Sequence, residues 1–273
     1  MYKYVIEGGY PVKGTIKASG NKNAALPCIC ACILSADEVT LQNVPDIEDV
    51  HVLFDIIRQL GGTVTAGSAS GEWCIKATDI KTSEIPNDLA KKIRASILLA
   101  GPMLARTGKV VMSPPGGDVI GRRRLDTHFV ALSALGARIE MDGIFTMSAN
   151  KLVGLEIFLD EASVTGTENA IMAASLAEGK TVIENAASEP HVQDLCHMIN
   201  AMGGHITGIG SNILYIEGVK KLHGCTFRLS PDFMEVGSFI GLAAVTRGDL
   251  VIEDAAPQNL KMTRLGFGKL GIH

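Results

Sequence analysis

Apolar residues along the chain follow two patterns, and the two alternate. The first is a run that is apolar on nearly every side, at 24–34, 95–105, 170–177 and 239–245. A helix without a polar stripe is buried all round, so each run is expected to be an inner helix. The second pattern is one-sided. Ile47, Val50, Leu53, Phe54, Ile57 and Leu60 recur at helical spacing, which predicts an amphipathic helix lying on a core. Asp46, just ahead of it, is the expected N-cap. Alternating stretches at 73–77 and 213–216 predict half-buried strands.

These elements recur with a period of about 70 residues. A strand, a small turn and a helix ending at an apolar residue plus glycine follow one another four times. The strands begin at Val39, Lys109, Thr181 and Asp249, and the helices end at Leu60-Gly61, Leu135-Gly136, Met202-Gly203 and Leu270-Gly271. The unit reads β-α-β-α-β-β, an α/β fold with sheets around inner helices. The alternative is an ordinary α/β sheet with coincidental spacing, against which three good recurrences argue. The fourth weakens, because Gly266, Gly268 and Gly271 fall where its second helix belongs. Each glycine disfavours helix by about 1 kcal/mol relative to alanine. No closing strands follow, so the fourth unit reads as cut short.

Composition narrows the class. A length of 273 residues suits two ordinary domains or one large one. Aromatics are only 5% of the chain against 47% hydrophobic residues, so the cores must be built from aliphatic side chains. A net charge of -4 argues against a nucleic-acid surface. No apolar run reaches the roughly 20 residues of a membrane span, and residues 1–9 lack the pattern of a signal peptide. The six cysteines form no C-x-x-C pair and read as core thiols of a reduced, cytoplasmic protein, with a zinc site as the poorer alternative. The histidines have no metal-ligand spacing, and no Walker or G-x-G-x-x-G pattern occurs. Neither a metal nor a cofactor is expected.

Four segments carry candidate chemistry. In 113–128 a Pro- and Gly-rich loop leads into Arg122, Arg123 and Arg124, with Asp118 at its tip. The guanidinium fork suits phosphate or carboxylate, the glycines suit a lid, and Asp118 is a candidate general acid or base. The same composition also describes a solvated loop. Lys22 and Asn23 stand where the first inner helix begins, an end that attracts anions; a capping turn with a solvent-facing lysine is the alternative. Arg94 holds the equivalent place in the second repeat, either converging on the same anion or making a surface ion pair. Residues 161–169, small and hydroxyl-rich, lie before the third inner helix and suit either ligand hydrogen bonds or a plain cap.

Taken in order, Ser-Gly-Asn-Lys-Asn-Ala-Ala-Leu-Pro, Arg-Ala-Ser-Ile-Leu-Leu-Ala-Gly-Pro, Pro-Gly-Gly-Asp-Val-Ile-Gly, Glu-Asn-Ala-Ala-Ser-Glu-Pro and Ser-Pro-Asp resemble the UDP-N-acetylglucosamine 1-carboxyvinyltransferase family of the enolpyruvyl transferase superfamily. The resemblance runs from Gly8 to about Pro257. It implies an inside-out α/β barrel of six such units, three per domain. Residues 22–230 would then be one complete three-unit domain, and 1–21 with 231–273 part of a second. It also implies transfer of the enolpyruvyl group of phosphoenolpyruvate to the 3-hydroxyl of UDP-N-acetylglucosamine with phosphate release, a step of peptidoglycan synthesis. A UDP-sugar-binding chain without turnover is the alternative.

By position, the resemblance makes Lys22 and Asn23 phosphoenolpyruvate contacts and Arg94 and Arg123 anion-binding residues beside both substrates. It assigns Arg123, Arg124, Leu125, Asp126 and Thr127, with Glu161, Ser163 and Val164, to the UDP-sugar. Asp118 and Lys22 are the expected catalytic groups. Asp118 stands where the family usually has cysteine, so it keeps an acid at the loop but supplies no thiolate. Arg124 replaces the usual proline and Glu161 the usual lysine, which implies that Arg124 offsets the Glu161 charge. The family's catalytic aspartate and several arginines of the second domain have no counterpart in this sequence.

Overall fold

The computed structural model describes residues 3–117 and 124–272, and the chain divides into two units, residues 22–229 and residues 1–21 with 230–273. β1 (Lys13–Lys17) comes first. The first repeat holds α1 (Lys22–Ala31), prolonged by a 310 turn at Cys32–Leu34, then β2 (Val39–Gln42), α2 (Glu48–Gln59), β3 (Thr63–Ala66) and β4 (Trp73–Lys76). The second holds α3 (Asn87–Ala90), a 310 turn at Arg94–Leu99 running into α4 (Ala100–Thr107), then β5 (Lys109–Met112), α5 (Asp126–Ala134), β6 (Arg138–Asp142) and β7 (Ile144–Ser148). The third holds β8 (Glu156–Phe158), α6 (Val164–Ala174), β9 (Lys180–Glu184), α7 (Pro190–Ala201), β10 (His205–Thr207) and β11 (Ile213–Glu217). β12 (Thr226–Arg228) completes residues 22–229.

Each repeat builds its own sheet. β9 lies parallel to β8 and antiparallel to β11, which continues to β10. In the first repeat β2 lies parallel to β12 and antiparallel to β4, which continues to β3. The leading strand of that sheet therefore comes from the far end of residues 22–229. β5, β7 and β6 form the third sheet, with a parallel bridge from Glu84 to Val111 in the leading place. α1, α4 with its 310 turn, and α6 pack on one another inside; α2, α5 and α7 bury one side each. Helices inside and sheets outside is the inside-out arrangement expected. Among the described residues the sheets stay separate and close no barrel.

The repeat is written into the backbone. Asn43 and Asn185 follow β2 and β9 with φ of 60° and 57°, a left-handed conformation that asparagine tolerates. Their amides donate to equivalent carbonyls, Leu229 at 3.0 Å and Leu159 at 2.9 Å, across the parallel strand pair. Gly61, Gly136 and Gly203, after the one-sided helices, all have φ near 100°, the glycine-specific way to end a helix.

Two expectations fail in this unit. α2 begins at Glu48 without a side-chain cap, and Asp46 pairs instead with His51 at 2.6 Å. The imidazole one turn along attracts the carboxylate that would have capped. α6 begins at Val164, several residues before the apolar run, because Ser163 accepts from the Gly166 N–H at 3.2 Å and fixes the start there. Glu168 and Asn169 are therefore inside the buried helix.

Asn169 ties the inner helices together. Its Oδ1 accepts from the Gly101 N–H at 2.8 Å, and its Nδ2 donates to the Ile97 carbonyl and to His128 Nδ1, each at 2.8 Å. A Cβ on Gly101 would lie 2.6 Å from the Asn169 carbonyl oxygen, so α4 approaches α6 this closely only because that residue is glycine.

In residues 1–21 and 230–273, α8 (Phe233–Thr246), β13 (Asp249–Glu253) and α9 (Lys261–Lys269) accompany β1, which lies parallel to β13. Asp232 caps α8 through the N–H groups of Met234 and Glu235. Of this inner helix only Val236 is buried; Leu242 and Val245 are 41% and 82% exposed. The expectation of burial all round fails here: within its own unit α8 packs on β13, α9, a 310 turn at Pro257–Leu260 and residues near Ala18, which cover only part of its surface. α9 forms despite Gly266 and Gly268, a case of context overriding propensity.

Asn169→Ala is predicted to leave three buried groups without partners, each costing about 1–3 kcal/mol. Urea unfolding checks this. A loss well under 1 kcal/mol would mean that the clamp contributes little.

Candidate functional site

The three inner helices of residues 22–229 begin at one place. Lys22 and Asn23 from the start of α1, Arg94 from the 310 turn before α4, and Val164 from the start of α6 line one cleft of about 420 Å³. Sequence order scatters these residues, and the repeat gathers them. α6 follows its leading strand β8 and α4 the bridge at Glu84, while β12 supplies the leading strand of the α1 repeat from the other end of the unit; the helix starts meet at the cleft. The helix starts and three cations, Lys22, Lys92 and Arg94, make this wall attractive to an anion.

Two carboxylates share the cleft, Asp49 and Glu168. Lys22 Nζ pairs with Asp49 at 2.5 Å. Both side chains are partly exposed, so the pair adds little to stability and leaves the lysine available to a ligand. Glu168 is 1% exposed, and its Oε1 has no hydrogen-bond partner. Burial, with the Glu189 carboxylate adding to it, pushes its pKa well up. His191 of α7 completes that side. Sequence reading includes Glu168 in the 161–169 segment without singling it out, and misses Lys92 and, on α2, Asp49. A carboxylate within an Ala-rich buried helix was the available signal.

The remaining candidates lie at the start of α5 and just before α6. Arg124 Nε donates to Asp126 Oδ2, and Arg94 Nη2 donates to the Arg124 carbonyl at 3.0 Å. The Asp126 bond and charge raise the Arg124 pKa, with Asp160 and Glu161 acting from farther off. The guanidinium's direct partner is thus Asp126, and the expected pairing with Glu161 is a longer-range effect. Thr127 Oγ1 donates to Asp160 at 3.2 Å, Leu125 packs on the core, Ser163 is the cap of α6, and Glu161 is exposed. Asp118 and Arg123 lie outside the described residues. Among the described residues no group of His, Cys, Asp and Glu is placed to hold a metal ion. Cys28, Cys30, Cys32 and Cys196 are buried free thiols; burial above all pushes Cys196 up to about 12, so it is no nucleophile. No helix among the described residues is long and apolar enough to cross a membrane.

His128 of α5 lies behind the cleft. Asn169 donates to its Nδ1, so its proton sits on Nε2, facing Thr165 Oγ1 at 3.1 Å. Burial, helped by the Arg94 charge, lowers its pKa from 6.5 to about 3.

Comparison with known proteins places these features in a family. The model of EPSP synthase (3-phosphoshikimate 1-carboxyvinyltransferase) matches residues 6–268. A UDP-N-acetylglucosamine 1-carboxyvinyltransferase of Treponema denticola is 64% identical over the whole chain, and that of Treponema pallidum 61%; the chain spans 64% of the length of each. Among solved structures, the enolpyruvyl transferase NikO of Streptomyces tendae matches with a TM-score of 0.76 at 22% identity, over 86% of this chain and 56% of its own. EPSP synthase of Acinetobacter baumannii matches with a TM-score of 0.72 at 20% identity, over 90% of this chain and 56% of its own. At these identities the structures establish a shared fold.

The lowered His128 pKa has a signed consequence. From 6.5 down to about 3 the unfolded chain binds a proton that the folded one refuses. The contribution is complete above 6.5 and declines as pH falls, by up to about 1.4 kcal/mol per pH unit. Glu168 has the opposite sign: above its ordinary 4.5 the folded state keeps a proton that the unfolded state releases. Stability of His128→Gln is predicted to fall less than that of wild type between about pH 7 and about pH 4; urea titrations with parallel pH profiles would contradict it.

Proposed function

The chain belongs to the EPSP synthase family, and on that premise we propose that it carries the substrate cleft of an enolpyruvyl transferase acting on phosphoenolpyruvate and UDP-N-acetylglucosamine. The observation that supports this most is the convergence of Lys22, Asn23, Arg94 and Val164 on one cleft, in a chain 64% identical to a protein of that name. We take residues 22–230 as its complete domain and the cytoplasm as its place of action, in keeping with its free, unpaired thiols.

The reaction adds a sugar 3-hydroxyl to C2 of phosphoenolpyruvate as its methylene carbon takes a proton. Loss of phosphate and of a methyl proton then restores the double bond. Positive character at C2 needs an acid for the methylene, a base for the hydroxyl, and fixed cations for phosphate and carboxylate. In our reading Lys22 and Asn23 hold phosphoenolpyruvate, and Arg94 and Arg123 steady the anions of both substrates. Arg123, Arg124, Leu125, Asp126 and Thr127 hold the UDP-sugar with Glu161, Ser163 and Val164. Asp118 is the acid of the loop. Arg124, already bound to Asp126, orders the segment that faces the diphosphate.

The share of its relatives' length that the chain spans keeps a second reading, UDP-sugar binding without turnover. Calorimetry with UDP-N-acetylglucosamine and phosphate release from phosphoenolpyruvate test both. Binding that Arg124→Ala weakens about tenfold, the scale of a charge-assisted hydrogen bond, is expected. Sugar-dependent release favours turnover, and binding without release favours the second reading. No binding of the sugar nucleotide would sink both.

A further inference from the structure

Glu168 is the most buried titratable residue of the cleft, and the proposed chemistry leaves it without a task. It projects from α6 on the same face as Val164, four residues earlier. Its side chain lines the cleft while 1% exposed, and its Oε1 has no hydrogen-bond partner. A buried carboxyl oxygen without a partner is costly, and among the described residues no hydrogen-bond partner relieves that cost at Oε1. Burial comes first among the influences on it and the Glu189 carboxylate second; no cation is among them. Lys22 on α1 is engaged by Asp49, and Arg94 by the Arg124 carbonyl. His191 of α7 lines the same cleft, and besides Glu189 the electrostatic neighbours of Glu168 are the buried thiols of Cys196 on α7 and of Cys28 and Cys30 on α1; Asp194 of α7 acts on Cys28 as well. His128 of α5, neutral, lies on the far side of Asn169.

We propose that Glu168 is a positioning residue of the anion cleft, standing there as the neutral carboxylic acid and donating its O–H to an anionic oxygen of phosphoenolpyruvate. An ionised carboxylate at this place would repel the ligand that Lys22 and Arg94 attract. A neutral acid adds a donor, and the orphan oxygen gains a partner only when the cleft is filled. The carboxyl group thus spends folding stability in the empty protein on an interaction realised with ligand, as site residues commonly do. The inference rests on the cleft being a phosphoenolpyruvate site.

The test is phosphoenolpyruvate affinity of the 273-residue chain by calorimetry, with UDP-N-acetylglucosamine present, across pH. Glu168→Gln keeps a neutral donor, and Glu168→Leu keeps the volume without one. The account expects Gln to bind within about threefold of wild type and Leu to bind about tenfold or more weakly, as for a lost hydrogen bond to a charged group. Without ligand, Leu is expected to be at least as stable as wild type, because it removes an unsatisfied buried group; a merely structural carboxyl would give the reverse. The wild-type to Gln affinity ratio, in which the ligand's own titration cancels, is expected to fall as pH rises. Leu binding as tightly as wild type, or a ratio independent of pH, overturns this inference alone. Absence of phosphoenolpyruvate binding by the wild type overturns the site reading, and this inference with it.

Discussion

Close packing of three apolar helices against one another is the constraint from which the rest of residues 22–229 follows. α1, α4 and α6 have no polar face to offer solvent, so the sheets and one-sided helices must cover them. The contact between α4 and α6 is close enough to require Gly101. Polar backbone groups at that crossing need partners where water is absent, and the Asn169 amide supplies them. The same side chain sets the His128 tautomer. One residue thus links core packing to the electrostatics behind the cleft.

The packing also makes the site. Helices that meet side by side and begin at the same level bring their starts together, and with them Lys22, Arg94 and Val164. Each repeat contributes one edge of the cleft, so no repeat alone carries the chemistry. The cations sit at the cleft surface, where Lys22 and Arg94 keep partial exposure, while burial of the titratable groups deeper in, Glu168 and His128, favours their neutral forms. A cationic rim over a neutral interior attracts an anion without trapping it against a buried counter-charge.

Much of this was legible from residues. Runs apolar on every side marked the inner helices, and helix-ending glycines marked the repeat, because Gly61, Gly136 and Gly203 need a conformation that other residues avoid. Lys22, Asn23 and Arg94 were legible as helix-start residues. What hydrophobic pattern cannot show is polar choice. Asp46 had two partners within reach and took His51. Ser163 started α6 early and carried Glu168 into the core, where a polar residue breaks the pattern that defines the helix. Burial of α8 failed for another reason: a helix's periodicity states what it can bury, and its neighbours decide what it does bury.

The central claim is that three helix starts form one ligand cleft, and hydrogen exchange tests it most directly. Amides at the starts of α1, of the 310 turn before α4, and of α6 would be followed with and without phosphoenolpyruvate and UDP-N-acetylglucosamine. The account predicts that exchange slows at all three together and stays unchanged in α9. Slowing at one start alone, or only outside residues 22–229, would contradict it.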